Sequence, residues 1–372
     1  MQMTVEALGL FTRRSMLAGA IGAAAMSGLP LRAKDAAFRV PVVDSLTLTV
    51  LTDSGTFGPF LPDLDLPGLK VLRAGNGSPP GYTRMSPKAL MGEFGLSLLA
   101  DSRVGDASRR VLVDFGYTAE VLANNMGMLG IDPSSIDASV LSHGHLDHYG
   151  GFPAMTGSAE KRGRPLPLYV GGEETFCERV AMIGDPPPVM GILDRAALTK
   201  AGYEVRISPT PQIVADQAFT TGIIPLETFE RTAIPTRMRP GAGCERTGLR
   251  SDKRDLAEVT DDGEHELATC YAIKGLGLVV IASCSHRGVL NSVRRAQAIS
   301  GISKVQMVIG GFHLVRPRTE EEARQTVSAF KVIDPDYIVP MHCTGEVFIE
   351  EAIRQMPSKV IRPYVGTRLA MA

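Results

Sequence analysis

Six of the seven histidines in this chain fall in four short clusters. Residues 142 to 148, "SHGHLDH", hold His143, His145 and His148 together with Asp147; the others are His286 in "CSH", His313 in "GGFHL" and His342 in "MHCTG". Imidazole and carboxylate are good ligands for zinc and related divalent ions. In an extended loop His143 and His145 project to the same side, because side chains alternate, and Gly144 lets the backbone turn tightly between them. Asp147 and His148 then face a neighbouring position, so the motif offers two ligands to one ion and two to another. Crowding these groups together without a cation is costly if they are buried. The isolated His265 is read instead as a core or surface residue. Cys284 reads either as a thiolate ligand or as a small buried side chain, with the first preferred.

Each cluster directly follows an apolar, strand-like run. Such runs are "LTLTVLT" (46–52), "RRVLVDFG" (109–116), "DASVLSH" (137–143), "PLPLYVG" (165–171), "YEVRISP" (203–209), "GLVVIAS" (277–283), "KVQMVIGG" (304–311) and "DYIVPMH" (336–342). Gly, Pro, Asp or Ser bounds each of them. Helical spacing lies between, in "YTAEVLANNMGMLG" with Thr118 as cap, and in "RTEEEARQTVSAFKVI" and "TGEVFIEEAIRQM", which both open with Thr and early acids. This alternation indicates an α/β protein, with strand ends converging on one edge where open sheets place ligands. The stretch from 229 to 266 is polar, dense in Gly and Pro, and without period, and is expected to be a long loop. Its Arg231, Arg237, Arg239, Arg246 and Arg250 form either a solvated surface or a contact for an anionic substrate.

Hydrophobic content of 44%, charged content of 21% and a net charge of -1 describe an ordinary soluble chain without the basic excess that nucleic acid binding uses. Its 372 residues suffice for one large domain or two smaller ones. Arg13 and Arg14 precede the small, apolar stretch "LAGAIGAAAMSGLPL", the layout of a twin-arginine export signal ending near Ala33. Residues 1–35 are therefore set apart as a signal, and 36–372 are treated as one domain, exported by the twin-arginine machinery to the periplasm or beyond. No later apolar run has the roughly 20 residues of a spanning helix. Cys177, Cys244, Cys270, Cys284 and Cys343 are odd in number and scattered, which does not read as a disulfide framework.

"HGHLDH" resembles the H-x-H-x-D-H signature of the metallo-β-lactamase superfamily, and "VLVDFG" resembles its earlier strand-end aspartate, here Asp114. The resemblance runs from about residue 46 to the C-terminus. It implies a four-layer αβ/βα sandwich with a mononuclear or dinuclear metal site at one edge, and Asp114 as a buried residue supporting the motif loop. "GEFGLSLL", "LSHGHLDHYGGF", "TTGIIP", "CSHRGVLNS", "GGFHL" and "PMHCTG", in that order, resemble the branch labelled 7,8-dihydropterin-6-yl-methyl-4-(β-D-ribofuranosyl)aminobenzene 5'-phosphate synthase. Phe94 stands where that branch has the histidine of E-H-G-L-S, and Phe115 where it has the threonine of D-T-G. No histidine matches the superfamily's third motif, so the resemblance assigns that contact to either His286 or His313. Cys284 stands where many relatives place a bridging aspartate, and His342 matches the last motif histidine.

The expected metal ligands are thus His143, His145, Asp147, His148, Cys284, His286, His313 and His342, holding one or two zinc ions, with iron or manganese as alternatives. The leading expectation is a hydrolase that uses a metal-activated water on a small phosphoester, ester or lactone, with Asp147 orienting that water. The alternatives are a dihydropterin-aminobenzene phosphate synthase type of transferase and a non-catalytic metal-binding protein.

Overall fold

The computed structural model describes residues 38–56, 61–73 and 88–372; the expected signal segment lies outside them. All eight strand-like runs contribute strands, and they sort into two large sheets. The first sheet has nine, in the order Tyr203–Ile207, Leu166–Val170, Ala138–Leu141, Ala107–Val113, Ser97–Val104, Ser45–Thr52, Arg368–Met371, Leu69–Leu72 and Leu64–Leu66. The second has seven: Ile213–Val214, Ala218–Thr220, Thr269–Ile273, Gly277–Ile281, Val305–Gly311 and Tyr337–Met341 in sequence across the sheet, with Val42–Val43 beside Thr269–Ile273.

The period of two decides which layer each residue joins. Leu46, Leu48 and Val50, Leu98 and Ala100, and Val111 and Val113 of the first sheet pack against Val279, Ile281, Met307, Ile309 and Val339 of the second. The intervening Leu51, Leu99 and Leu112 point the other way, onto Leu122 and Met126 of the helix Ala119–Met128. On the second sheet, Leu278, Val280 and Val308 turn outward to the helices Val289–Ser300, Glu320–Ile333 and Glu346–Gln355. Strands covered on both faces read as continuous apolar runs. The result is the expected four-layer α/β sandwich, helix against sheet against sheet against helix.

Local chemistry starts the helices. The Thr118 hydroxyl accepts from Val121 N, and Thr319 and Glu322 form a capping box. Thr344 differs: the last of these helices is capped by Gly345, and the Thr344 hydroxyl instead donates to Met341 O at 2.6 Å and accepts from Phe312 N at 3.2 Å. Phe312 is buried against Phe330 and Phe348, with ring centroids 5.9 and 5.4 Å away. This anchors the outer side of the turn that carries His313.

Two expectations need refinement. The stretch from 229 to 266 lies outside regular elements for most of its length, but within it Thr236–Arg239 and Val259–Thr260 join Glu178–Ala181 and Val189–Gly191 in a separate four-stranded sheet. Its arginines mostly pair with acids: Arg237 with Glu258 at 3.1 Å, Arg239 with Glu178 at 2.8 Å, and Arg250 with Glu264 at 2.9 Å. The alternation is hidden because the strands of this small sheet are short: Met238, Val180 and Val259 bury an apolar face while ion pairs tie the exposed one. Secondly, Cys177 and Cys244, 67 residues apart, form a disulfide, tying that sheet's first strand to the polar segment; Cys270, Cys284 and Cys343 are free.

Candidate metal centre

The motif residues sit at the carboxyl ends of parallel strands. Asp114 follows Ala107–Val113, Ser142 to His145 follow Ala138–Leu141, Cys284 to His286 follow Gly277–Ile281, His313 follows Val305–Gly311 and His342 follows Tyr337–Met341. Four of these residues, Asp114, Ser285, His313 and His342, have φ of 57°, 60°, 43° and 48°. Non-glycine residues in this left-handed region cost of order 1–3 kcal/mol each and persist where surrounding bonds over-determine them. Here Asp114 N donates to Val140 O at 2.9 Å, the Ser285 hydroxyl to Gly311 O at 2.8 Å, and His342 N to the Asp53 carboxylate at 3.1 Å. Gly144 is needed for close approach, since a Cβ there would lie 2.3 Å from the Thr175 carbonyl oxygen and 2.6 Å from the Arg179 guanidinium.

The eight candidate ligands come together, seven of them in two groups with His313 behind. His143, His145 and His286 form one, with ring centroids 4.5 Å apart for the first pair and 4.9 Å from each to His286. Asp147, His148 and His342 form the other: Asp147 Oδ2 is 3.2 Å from His342 Nε2 and 3.7 Å from His148 Nε2. Cys284 Sγ belongs to both, because it can ligate with His143 and His286 or with His148 and His342, the ligand atoms of each trio lying within 4.8 Å of one another. His286 thus lies beside both His143 and His145, and His313 falls in a third candidate group with Cys284 and Cys343. His313 stacks behind His286 at 4.3 Å, with its Nδ1 3.7 Å from Cys284 Sγ, beside Cys343.

Outer contacts fix which nitrogen each ring presents. His148 Nδ1 donates to Asp114 Oδ2 at 2.8 Å, and His286 Nδ1 to Ala233 O at 2.8 Å. The Ser142 hydroxyl donates to Asp114 Oδ2 at 2.8 Å, so its oxygen accepts from His143 Nδ1 at 2.9 Å. The Nε2 atoms of His143, His148 and His286 are left with lone pairs, and all three are buried without a partner, as is His313 Nε2. His145 is reversed. Its Nε2 faces the Thr236 hydroxyl at 3.2 Å, that hydroxyl faces Asp261 at 3.4 Å, and Nδ1 is the free atom. Buried, unpartnered imidazole nitrogens grouped around one thiol are what a divalent ion satisfies, so the residues fit a metal.

Burial, reinforced by neighbouring imidazoles, holds His143 and His286 well below the usual histidine range. Burial and the Arg179 guanidinium bring His145 down to about 3. For His342 burial acts in the same direction, but Cys343, Asp147 and Asp53 outweigh it and raise it to about 9. Burial would raise Asp147, yet His148 and His342 hold it well below the usual carboxylate range. Burial pushes the Cys284 thiol up. At neutral pH the first trio is thus neutral and ready to ligate, whereas the second holds a carboxylate beside an imidazolium.

Much of the support beneath these ligands comes from residues that the sequence did not single out. Arg179, 1% exposed, donates to Asp261 at 2.9 Å and to the carbonyl oxygens of Glu174 and Cys177 at 2.9 Å. Its guanidinium also meets His265 Nε2 at 2.9 Å, and Gly144 N lies 3.2 Å from the same nitrogen. His265 is a core residue, as expected, although its place is directly under the motif loop. Glu266 accepts from His286 N at 2.8 Å and Arg287 N at 2.7 Å. The acids Glu174, Asp262 and Glu264 also cluster, but Lys253 Nζ occupies that cluster at 2.6, 2.7 and 3.3 Å.

A family model described as the metallo-beta-lactamase superfamily matches residues 98–167. The chain is 30% identical over 267 residues to the 7,8-dihydropterin-6-methyl-4-(beta-D-ribofuranosyl)-aminobenzene-5'-phosphate synthase of Methanocaldococcus jannaschii, covering 70% of this chain and 85% of that protein. It is 27% identical over 262 residues to an uncharacterised protein of the same organism, covering 69% and 86%. Among solved structures it is similar to Tm1679, a metal-dependent hydrolase of the beta-lactamase superfamily, with a TM-score of 0.61, 23% identity, and coverage of 87% of this chain and 98% of that one. Together with the strand-end histidines, these similarities place the chain in the metallo-β-lactamase superfamily.

Proposed function

We propose that the protein is a metal-dependent hydrolase acting on a small molecule, with zinc as the ion. The observation that carries this reading is the Cys284 thiol shared between the His143/His286 and His148/His342 groups, facing a cavity of about 360 Å³. An ion held by these residues would supply Lewis acidity and bring the pKa of a bound water towards neutrality. Asp147 remains ionised beside His342, and its oxygen away from Nε2 is free to accept a hydrogen bond from that water. The superfamily's enzymes and the metal-dependent hydrolase among its solved structures support hydrolysis. The M. jannaschii relative, named a synthase, supports a transferase as the second reading.

The Cys177–Cys244 disulfide supports a further part of the proposal, that the twin-arginine pair directs export to an oxidising compartment, since disulfides persist there. Two measurements test the function. Purified protein is expected to contain one or two equivalents of zinc and to hydrolyse members of an ester, lactone and phosphoester panel, with both metal and turnover falling in His145→Ala. Full activity in stoichiometrically metal-free protein overturns the reading. Metal without turnover on any substrate leaves the binding-protein alternative.

A further inference from the structure

The cavity above the metal ligands has walls of a different character from its floor. The floor is made of imidazoles, Asp147 and the two thiols, and the walls are Phe94, Tyr117, Leu146, Val189, Met190 and Pro235. Phe94 is 61% exposed, Tyr117 45% and Val189 53%. Large apolar side chains left open to solvent around one concavity mark a ligand surface. These walls are also held in place. The Phe94 ring lies against His342 with centroids 4.8 Å apart, so one face is fixed and the other is open. The neighbouring Glu93 carboxylate accepts from Tyr117 N at 2.8 Å and Thr118 N at 3.0 Å, which ties the Tyr117 wall to the Phe94 wall. Val189 and Met190 face them from a strand of the small sheet.

Charge points the same way. Among the described residues lining the cavity there is no lysine or arginine, and the one fixed charge of acidic type is Asp147. The arginines of the 229–266 segment, for which a solvated surface and an anion contact were the two readings, are mostly engaged with Glu178, Glu258, Asp252 and Glu264.

We propose that this cavity takes an uncharged carboxylic ester or lactone with an apolar acyl group, which lies between Phe94 and Tyr117 on one side and Val189 and Met190 on the other. The inference rests on the hydrolase reading above. In the step it implies, the oxygen of water bonds to the carbonyl carbon and the bond from that carbon to the alkoxy oxygen breaks. The proton that water loses passes by way of Asp147 to the departing alkoxide, giving a carboxylic acid and an alcohol. In a lactone both products are ends of one molecule.

The test uses the full, zinc-loaded protein with 4-nitrophenyl acetate, hexanoate and octanoate, and with bis(4-nitrophenyl) phosphate. Expected is a kcat/KM for hexanoate at least tenfold above acetate, and a phosphodiester rate at least a hundredfold lower. Phe94→Ala should remove most of the hexanoate advantage by raising KM for hexanoate more than for acetate, and Val189→Ser should do the same from the opposite wall. Equal rates along the acyl series, or preference for the phosphodiester, overturn the proposal. A separate arm needs no turnover: octanohydroxamate is expected to bind the zinc-loaded protein at least tenfold tighter than acetohydroxamate, with phenylphosphonate weaker than octanohydroxamate, by calorimetry. If no ester is cleaved but this order holds, the hydrolase reading falls and the apolar binding site stands. If the two hydroxamates bind equally, or phenylphosphonate binds best, the substrate class is wrong whatever the turnover.

Discussion

Asp114 offers the sharpest test of how the second ligand group is held. Its wholly buried carboxylate accepts from Ser142 N at 2.7 Å, from the Ser142 hydroxyl at 2.8 Å and from His148 Nδ1 at 2.8 Å. In Asp114→Ala the hydroxyl can turn to His143 Nδ1, but two buried donors lose their acceptor. At roughly 1–3 kcal/mol for each stranded donor the cost is about 4 kcal/mol. With an unfolding entropy near 2.1 cal/mol/K per residue, that corresponds to a fall in Tm of roughly 6 °C. Asp114→Asn should cost about half as much, because its amide oxygen retains one donor while its NH2 opposes another. Without the carboxylate nothing fixes His148 with its Nε2 lone pair towards Asp147 and His342, and loss of such an outer contact typically lowers metal affinity 10–100-fold. Competition with a chromophoric chelator measures the affinity, and a thermal melt of the metal-free variants measures the fold. Asp114→Asn protein that melts lower but binds two equivalents with unchanged affinity would refute the tautomer argument.

Other predictions concern protonation and the surrounding shell. In metal-free protein His145 titrates near 3 rather than 6.5, so the unfolded chain binds the extra proton and stability falls as pH drops below 6.5, by about 2 kcal/mol at pH 5 from this residue alone. His342, raised to about 9, acts oppositely: its contribution is full below 6.5 and is lost as pH rises towards 9. Urea melts of the metal-free protein should therefore peak close to neutrality, and a flat profile from pH 5 to 9 would contradict both shifts. Replacing Cys177 and Cys244 by serine opens a loop of 67 residues and should cost about 4 kcal/mol without altering metal stoichiometry; an unchanged urea midpoint is the contrary result. Arg179→Met strands the Asp261 charge and should cost about 3–5 kcal/mol, part of which Arg179→Met/Asp261→Leu restores; purely additive losses would show that the two do not act as a pair.

The ligand edge was legible because buried parallel strands leave a plain trace. Runs such as "VLV", "GLVVIAS" and "KVQMVIGG" are mostly apolar, and the residues that follow them must emerge at the same edge. What could not be read was the choice between His286 and His313. That depends on Ser285 turning left-handed and on Ala233 O receiving His286 Nδ1, and neither has a sequence period. The outer shell was hidden for a related reason. Thr236, Asp261, His265 and Glu266 belong to a polar segment whose order comes from ion pairs and from one disulfide. Arg179, in "CERVA", looks like a solvent-facing charge and is among the most buried side chains of the protein. Phe94 registered as a missing histidine; only its position against His342 reveals it as a wall of the cavity.

The left-handed turns at Asp114, Ser285, His313 and His342 bear on how this sequence tolerates change. Glycine adopts that backbone region freely, so a random substitution to glycine at any of the four relieves a local conformational penalty. The same substitution removes a candidate ligand imidazole, the carboxylate that orients one, or the hydroxyl that holds the Cys284 turn to Gly311. At Asp114 the two stranded donors outweigh that relief, but at Ser285 and His313, where less bonding is lost, stability and competence pull in opposite directions. Drift towards a sturdier chain would pass through loss of the site, whereas occupancy by an ion returns stability only to the folded state that retains it.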